Sequence, residues 1–453
     1  MKILFITAGA AGMYCGSCLR DNALAAELKS RGHDVLLVPL YTPTLTDEPN
    51  VSEGRVFFGG ISVYLQQNAG FFRWAPRIVD KLLDAPWLIK AASSGSISTD
   101  PRALGEMTIS MLKGEDGFQR REFEKMIEWL ASEPAPDVVQ LPNALLASLA
   151  PPIRRALKAP VHCTLQGEDL FLNGLAKPHR AEAIELIRKN AESVDRFTAV
   201  SEYYADFMAR YLSIPREKID TVPLGISLEG FDRRRTSPPD KPFTIGYFAR
   251  IAPEKGLSGL CQAYVRFRQM PGVASARLDV AGYLAPDQQT YLKDAERMLT
   301  KAGLGGEFAY RGALDREQKI DFLKGLDAFS VPTVYVEPKG LFLLEAMACG
   351  VPVVQPRHGA FPEMLAKTSG GILVEPGDPQ SLAEGLYTLW KDAAMRAELG
   401  QRAFNGVREH YSVARSADRM LEVYEATKPR AARADGAPQA SGWSGAGEPR
   451  DQC

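Results

Sequence analysis

The sequence predicts an α/β chain made of two parallel-sheet domains joined by a linker. Short apolar runs rich in Val, Ile and Leu alternate with helical patterns almost from end to end, the pattern of βα units. Those runs are continuous and do not alternate with polar residues, as expected of strands buried on both faces. The rhythm stops once, at the polar segment "ISLEGFDRRRTSPPDKP" (226–242), which holds three prolines, and then restarts. A length of 453 residues suits two to three domains, at roughly 100–200 residues each.

Taken in order, "KILFIT" reads as the first strand, "LRDNALAAELKSRG" as a helix and "HDVLLVPL" as the second strand. "DVVQLPN", "VHCTLQ", "RFTAVS" and "KIDTVPLG" continue the series, so residues 1–225 form the first domain. Residues 51–130 fit the rhythm poorly and read as an insertion. In it, "GRVFFGGISVYLQQN" suggests a strand pair or excursion, and "REFEKMIEWLASE" an amphipathic helix. Segment 226–242 is the linker. "FTIGYFAR", "ARLDVAGY", "FAYRGAL", "AFSVPTVY", "VPVVQP" and "GILVEP" then build a second domain over 243–409. A helix covers 410–427. Residues 428–453, rich in Ala, Gly, Pro and charge, are expected to be disordered.

Composition narrows the function classes. Hydrophobic residues at 45% and charged ones at 24% describe an ordinary globular protein. A net charge of −1 gives no bulk electrostatic reason for a nucleic-acid partner. No stretch reaches the roughly 18 apolar residues of a membrane span, and the apolar N-terminus reads as a buried strand, not a signal peptide. Six cysteines in so long a chain make no disulfide scaffold and suit a reduced, cytoplasmic setting.

Ligands of such sheets bind beyond the carboxyl ends of the strands, so two facing domains are expected to place the site in the cleft between them. The loop "TAGAAGMYCGSCLRDN" (7–22) follows strand one and carries Gly9, Gly12 and Gly16. Its glycines permit close backbone approach, and the helix after it offers N–H groups to an anion. The spacing is not G-x-G-x-x-G, so the loop reads equally as a tight turn or a ligand contact. It also holds Cys15 and Cys18 as C-x-x-C. A thiol at a helix N-terminus has a lowered pKa. However, the loop closes the first strand of a large sheet and no second C-x-x-C completes a zinc site, which argues against a redox or metal role.

Two later loops carry more chemistry. "GYFARIAPEKG" (246–256) places Arg250 at a strand end and Lys255 just before Gly256 and a helix. A planar fork, a point charge and a helix N-terminus can hold a diphosphate without a metal; the plain alternative is two surface cations. "VYVEPKGLFLLEAMACGVPVV" (334–354) predicts a helix starting near Gly340 and ending near Gly350. The free N–H groups of Leu341 and Phe342 then face the ligand side. Glu337 precedes that helix, and Glu345 lies about one and a half turns inside it. A charge in so apolar a helix needs a partner, either a ligand hydroxyl or a basic side chain.

These residues together resemble a family. "FAR-IAPEKG", followed downstream by "VPTVYVEPKGLFLLEAMACGVPVV", resembles the retaining, nucleotide-sugar-dependent glycosyltransferases of family four, with the GT-B fold. "AVSEYYADFMARYLSIPREKIDTVPLGISLEGF" and "RGHDVLLVPLY" resemble their first domain, and "VFFGGISVYLQQ" that of glycogen and starch synthases. The resemblance covers about residues 1–427. It implies two Rossmann-like domains facing a cleft, with the helix over 410–427 crossing back to the first. It implies an enzyme moving a sugar from a nucleoside diphosphate sugar, a UDP sugar among the candidates, to an acceptor hydroxyl with retention.

In that reading Arg250 and Lys255 bind the diphosphate, and Glu337 contacts the donor sugar near the reacting centre. Gly340, Leu341 and Phe342 contact phosphate or sugar, Glu345 binds the ribose, and the loop at Gly12 closes over the donor. Such enzymes usually need no metal or other cofactor. The acceptor is a glycan, a lipid-linked molecule or a small molecule, which leaves peripheral attachment to the inner membrane face open. The chain departs from many relatives in one respect. Where they carry a first-domain His, it has Gln166, with Asp169 close by as an acceptor contact or helix N-cap. His162 falls inside the strand. A nucleotide-sugar epimerase and a non-catalytic sugar-nucleotide binder are the alternatives on the same fold.

Overall fold

The computed structural model describes residues 1–9, 16–54, 56–58, 104–231 and 241–428. Gly12, Cys15, most of the 51–130 insertion, the centre of the linker and all but the first residue of the 428–453 tail lie outside them. The chain divides into two compact units. One holds Met1–Val200, Ala205–Val222 and the chain from Ala417 onward; the other holds Ser201–Tyr204 and Pro223–Ser416.

The first unit is a parallel sheet of six strands: β1 (Lys2–Thr7), β2 (Asp34–Pro39), β3 (Val138–Leu141), β4 (Val161–Leu165), β5 (Arg196–Ala199) and β6 (Ile219–Thr221). They lie in the order β2-β1-β3-β4-β5-β6. From β1 the chain goes out to β2 and comes back to β3 on the other side of β1, so the strand order switches between β1 and β3. The strand interiors are buried, as their unbroken apolar runs require. Leu24, Ala25 and Leu28 of the helix Gly16–Ser30 pack on Ile3, Phe5, Val35 and Leu37. Ala417, Met420, Val423 and Tyr424 of the helix Val413–Thr427 join the same core. Their spacing of three and four residues is the inner face of a helix, and it fixes the end of the chain to the first unit. The helix Arg120–Ser132 buries Phe123, Met126 and Leu130 by the same rule.

The second unit repeats the plan with β7 (Phe243–Phe248), β8 (Ala276–Ala281), β9 (Phe308–Tyr310), β10 (Ala328–Phe329), β11 (Val353–Pro356) and β12 (Gly371–Val374). Their order is β12-β11-β10-β7-β8-β9, all parallel. Here the switch falls between β7 and β10, paired through Ala328–Ile245 and Phe329–Gly246. The loops leaving these two strands must therefore be neighbours. They are the loops that carry Arg250, Lys255 and Glu337. No helix among the described residues is long and apolar enough to cross a membrane.

Candidate functional site

Two glycines let the second-unit loops come together. Gly256 adopts φ +78°, and a Cβ there would lie 1.8 Å from the Pro332 carbonyl oxygen. Only glycine fits so close an approach. A backbone bond from Val334 N to Glu254 O (2.9 Å) clamps the same loops. β10 ends at Phe329, and the chain then runs into the loop that presents Tyr335 and Glu337. Gly340, at φ +70°, then caps the helix Leu341–Ala348. Leu341 and Phe342 stand in its first turn, where N–H groups have no carbonyl one turn back.

The result is a compact charged cluster. Lys255 Nζ lies 2.8 Å from Glu337 Oε2 and 2.8 Å from the Tyr335 hydroxyl. That hydroxyl donates to Glu337 Oε2. The ammonium also sits 4.9 Å from the centre of the Tyr335 ring and 5.3 Å from that of Phe342, in cation–π range. Glu337 is 1% exposed. Burial pushes its carboxyl up, but Lys255 and the Tyr335 hydroxyl outweigh this and hold it below the ordinary carboxylate value. It therefore stays ionised. A third loop fixes its backbone, since Ala360 N donates to Glu337 O at 2.9 Å.

Two other charged side chains of this unit are arranged differently. Arg250 is exposed and pairs with Glu254, four residues on, and not with Glu337. Glu345 has a basic partner: Lys319 Nζ lies 2.6 Å from its Oε1, and both side chains are largely buried. Tyr335 and Lys319 are residues of this unit that sequence reasoning missed. Tyr335 could have been noticed as an aromatic hydroxyl two residues from a charged motif position. Lys319 had no local signal, because it lies on the separate helix Arg316–Lys324.

In the first unit, β4 runs into Gln166, which is buried. Its Nε2 donates to Pro142 O at 2.7 Å, while its Oε1 has no partner among the described residues. The helix Glu168–Gly174 is capped by Gly167 at φ +114°, so Asp169 stands within the first turn and is not the N-cap. The buried Glu168 takes the local N–H groups, accepting from Gln166 N (2.8 Å) and Ala144 N (3.1 Å). His162 is fully buried in β4, with Nε2 2.8 Å from Thr427 Oγ1, and burial lowers its pKa to about 4. Cys18 is buried.

A second polar feature lies between this sheet and its helices. Arg20 Nη1 donates to Asp21 Oδ1 (2.9 Å) and Thr164 Oγ1 (3.1 Å). Thr7 Oγ1 donates to Asp21 Oδ2 (3.1 Å), Gln140 Nε2 to Thr164 Oγ1 (3.0 Å), and the Tyr424 hydroxyl to Gln140 Oε1 (3.1 Å). All six side chains are buried.

Comparison with known proteins fits this architecture. Residues 21–225 match the glycosyl transferase 4-like domain, and residues 229–406 match the glycosyl transferases group 1 family. A GDP-mannose-dependent monoacylated alpha-(1-6)-phosphatidylinositol monomannoside mannosyltransferase of Corynebacterium glutamicum is 28% identical over 263 residues, 54% of this chain and 65% of that one. The chain spans about three fifths of the length of the curated relatives it matches. Among solved structures, a sucrose-phosphate synthase of Thermosynechococcus elongatus aligns with a TM-score of 0.68 at 18% identity, covering 94% of this chain and 98% of that one. Anabaena HepE in complex with UDP aligns at 0.65 and 19%, covering 94% of this chain and all of that one. At these identities the structural likeness speaks for the fold. With both of its halves matched, the chain belongs to the group 1 glycosyltransferases of the GT-B fold, with a glycosyl transferase 4-like first domain.

Proposed function

We propose that the protein is a retaining glycosyltransferase that moves a sugar from a nucleoside diphosphate sugar to an acceptor hydroxyl. The observation that carries the reading is the Lys255–Glu337–Tyr335 cluster at the switch point of the second sheet, beside the helix N-terminus at Gly340. Lys255 supplies a fixed positive charge for the leaving diphosphate. The first-turn N–H groups of Leu341 and Phe342 add the positive end of a helix dipole. Arg250 adds its fork on leaving an exposed pair that holds it weakly. In this reading the charge of the leaving group is met by side chains and helix dipole, and no metal is required.

Glu337, kept ionised, faces the positive charge that develops on the donor sugar. Glu345, held by Lys319, takes the ribose hydroxyls. Gln166 and Asp169 lie on the acceptor side. The mannosyltransferase relative is named for a GDP sugar and HepE was solved with UDP. Both support a nucleoside diphosphate sugar, and they differ in the base. Thermal-shift titration with UDP-, GDP- and ADP-sugars tests the donor class, because a ligand that binds the native state raises the melting temperature. No shift with any of them sinks the reading. Proton NMR of the product tests retention: the anomeric coupling should match the donor's, and an inverted product refutes it.

A further inference from the structure

Arg20 is 5% exposed, yet among the described residues only one of its nitrogens has a partner. Nη1 donates to both Asp21 and Thr164, while Nε and Nη2 make no hydrogen bond among the described residues. These two nitrogens are left open to a partner from outside the chain. Nε and Nη2 form the side-on edge of the guanidinium, whose parallel N–H groups match two oxygens of a carboxylate or phosphate. The bonds at Nη1 fix the plane, so that edge is oriented in advance. Its place is also right for a ligand. Asp21 ties Arg20 to Thr7, the last residue of β1, and Thr164 ties it to the carboxyl end of β4. This is the end of the sheet, beside its switch point, where ligands bind. Among the described residues, Gln166, two residues beyond Thr164, keeps a buried Oε1 without a partner, and the Thr42 and Thr44 hydroxyls after β2 are likewise buried and unpartnered.

We infer that Arg20 anchors an oxyanion site in the first unit: its side-on edge takes two oxygens of a phosphate or carboxylate group, and Gln166 Oε1 accepts from a hydroxyl of the same molecule. That this molecule is the sugar acceptor rests on the proposed transfer reaction. The acceptor class is then an anionic polyhydroxyl compound.

The test is a thermal-shift titration of the full chain with inorganic phosphate, and separately with glucuronate. Each is run with UDP or GDP present to fill the anion site of the second unit. Wild type is expected to be protected. Arg20→Lys keeps a charge opposite Asp21 but has no fork, and should weaken protection about tenfold or more. Thr164→Val removes only the orienting hydroxyl and should weaken it a few-fold; it carries the test if Arg20→Lys does not fold. The probe with the larger shift identifies the anion. Equal protection of wild type and both variants overturns the site. So does a lack of protection by both probes, or protection lost in Lys255→Ala and kept in Arg20→Lys. If no nucleoside diphosphate binds but phosphate protection still depends on Arg20, the donor reading falls and this site stands. Nucleotide binding without Arg20-dependent protection removes this site alone.

Discussion

In the second unit, the charged groups at the switch point are already paired with one another: Lys255 with Glu337 and Tyr335, and Lys319 with Glu345. In the first unit, the corresponding sheet edge holds a guanidinium with one nitrogen committed and its fork open. The second-unit partners come from different loops and a separate helix, so in the proposed reaction an incoming anion would exchange partners there. Lys255 can turn to a phosphate while the Tyr335 hydroxyl keeps Glu337 satisfied. The first-unit guanidinium is locked between a helix and two strands, and a ligand adds a partner without displacing one.

The largest effect should follow from breaking the first of these arrangements. Lys255→Ala removes the cation and leaves Glu337 buried with only the tyrosine hydroxyl. Nucleoside diphosphate release should fall by about two to four orders of magnitude, the scale for losing a preorganised electrostatic group. Arg250→Ala should cost less, because Arg250 is exposed and its pair with Glu254 is a surface one. If Arg250→Ala is the more damaging change, the buried lysine is not the group that meets the diphosphate.

Lys319→Met comes next. It strands the largely buried Glu345 carboxylate, and breaking such a pair costs about 3 kcal/mol of stability. Lys319→Met combined with Glu345→Gln should recover much of that loss in urea melts, because no charge is left unpaired. A single variant as stable as wild type would mean that Glu345 finds solvent or another partner, and that the second unit is less closed on itself than the first.

The two edges were also unequally legible. The continuous apolar runs between helical patterns carried the fold class, because burial on both faces writes itself into consecutive residues. The charged cluster of the second unit was legible as a candidate site because Lys255, Gly256, Glu337 and Gly340 lie in short loops where each residue type is constrained by backbone geometry. Lys319 did not show, since its partner is 26 residues away on another helix. Arg20 sat in a segment quoted for its helical pattern. Its meaning depends on Thr164, 144 residues later, and no local spacing records that contact. Of the two readings of Asp169, the helix cap fails, because Gly167 with its positive φ already occupies that position.

His162 gives the first sheet a pH signature. Its pKa is lowered to about 4 in the folded chain by burial, against an ordinary value of 6.5. Between those values the unfolded chain binds a proton that the native state does not, so stability rises with pH across the window. Acidification from pH 6.5 to 4 should remove on the order of 3 kcal/mol, with no further loss from this group below pH 4. His162→Gln should flatten that part of the stability curve relative to wild type in urea melts. A difference curve with no slope between pH 4 and 6.5 would place the imidazole in water.

The smallest effect sharpens the first-unit side of the comparison. Tyr424→Phe deletes the hydroxyl that donates to Gln140 Oε1 and leaves that buried oxygen without its donor. The cost should be about 1–2 kcal/mol, read by urea melts. Gln140 still donates to Thr164 through Nε2, and Thr164 still accepts from Arg20. Two intact bonds therefore separate the deletion from the guanidinium, and phosphate protection should change less than about twofold. A Tyr424→Phe variant that loses phosphate protection along with stability would show that the helix Val413–Thr427 helps orient the fork. The first-unit edge would then be as dependent on a distant segment as Glu345 is on Lys319.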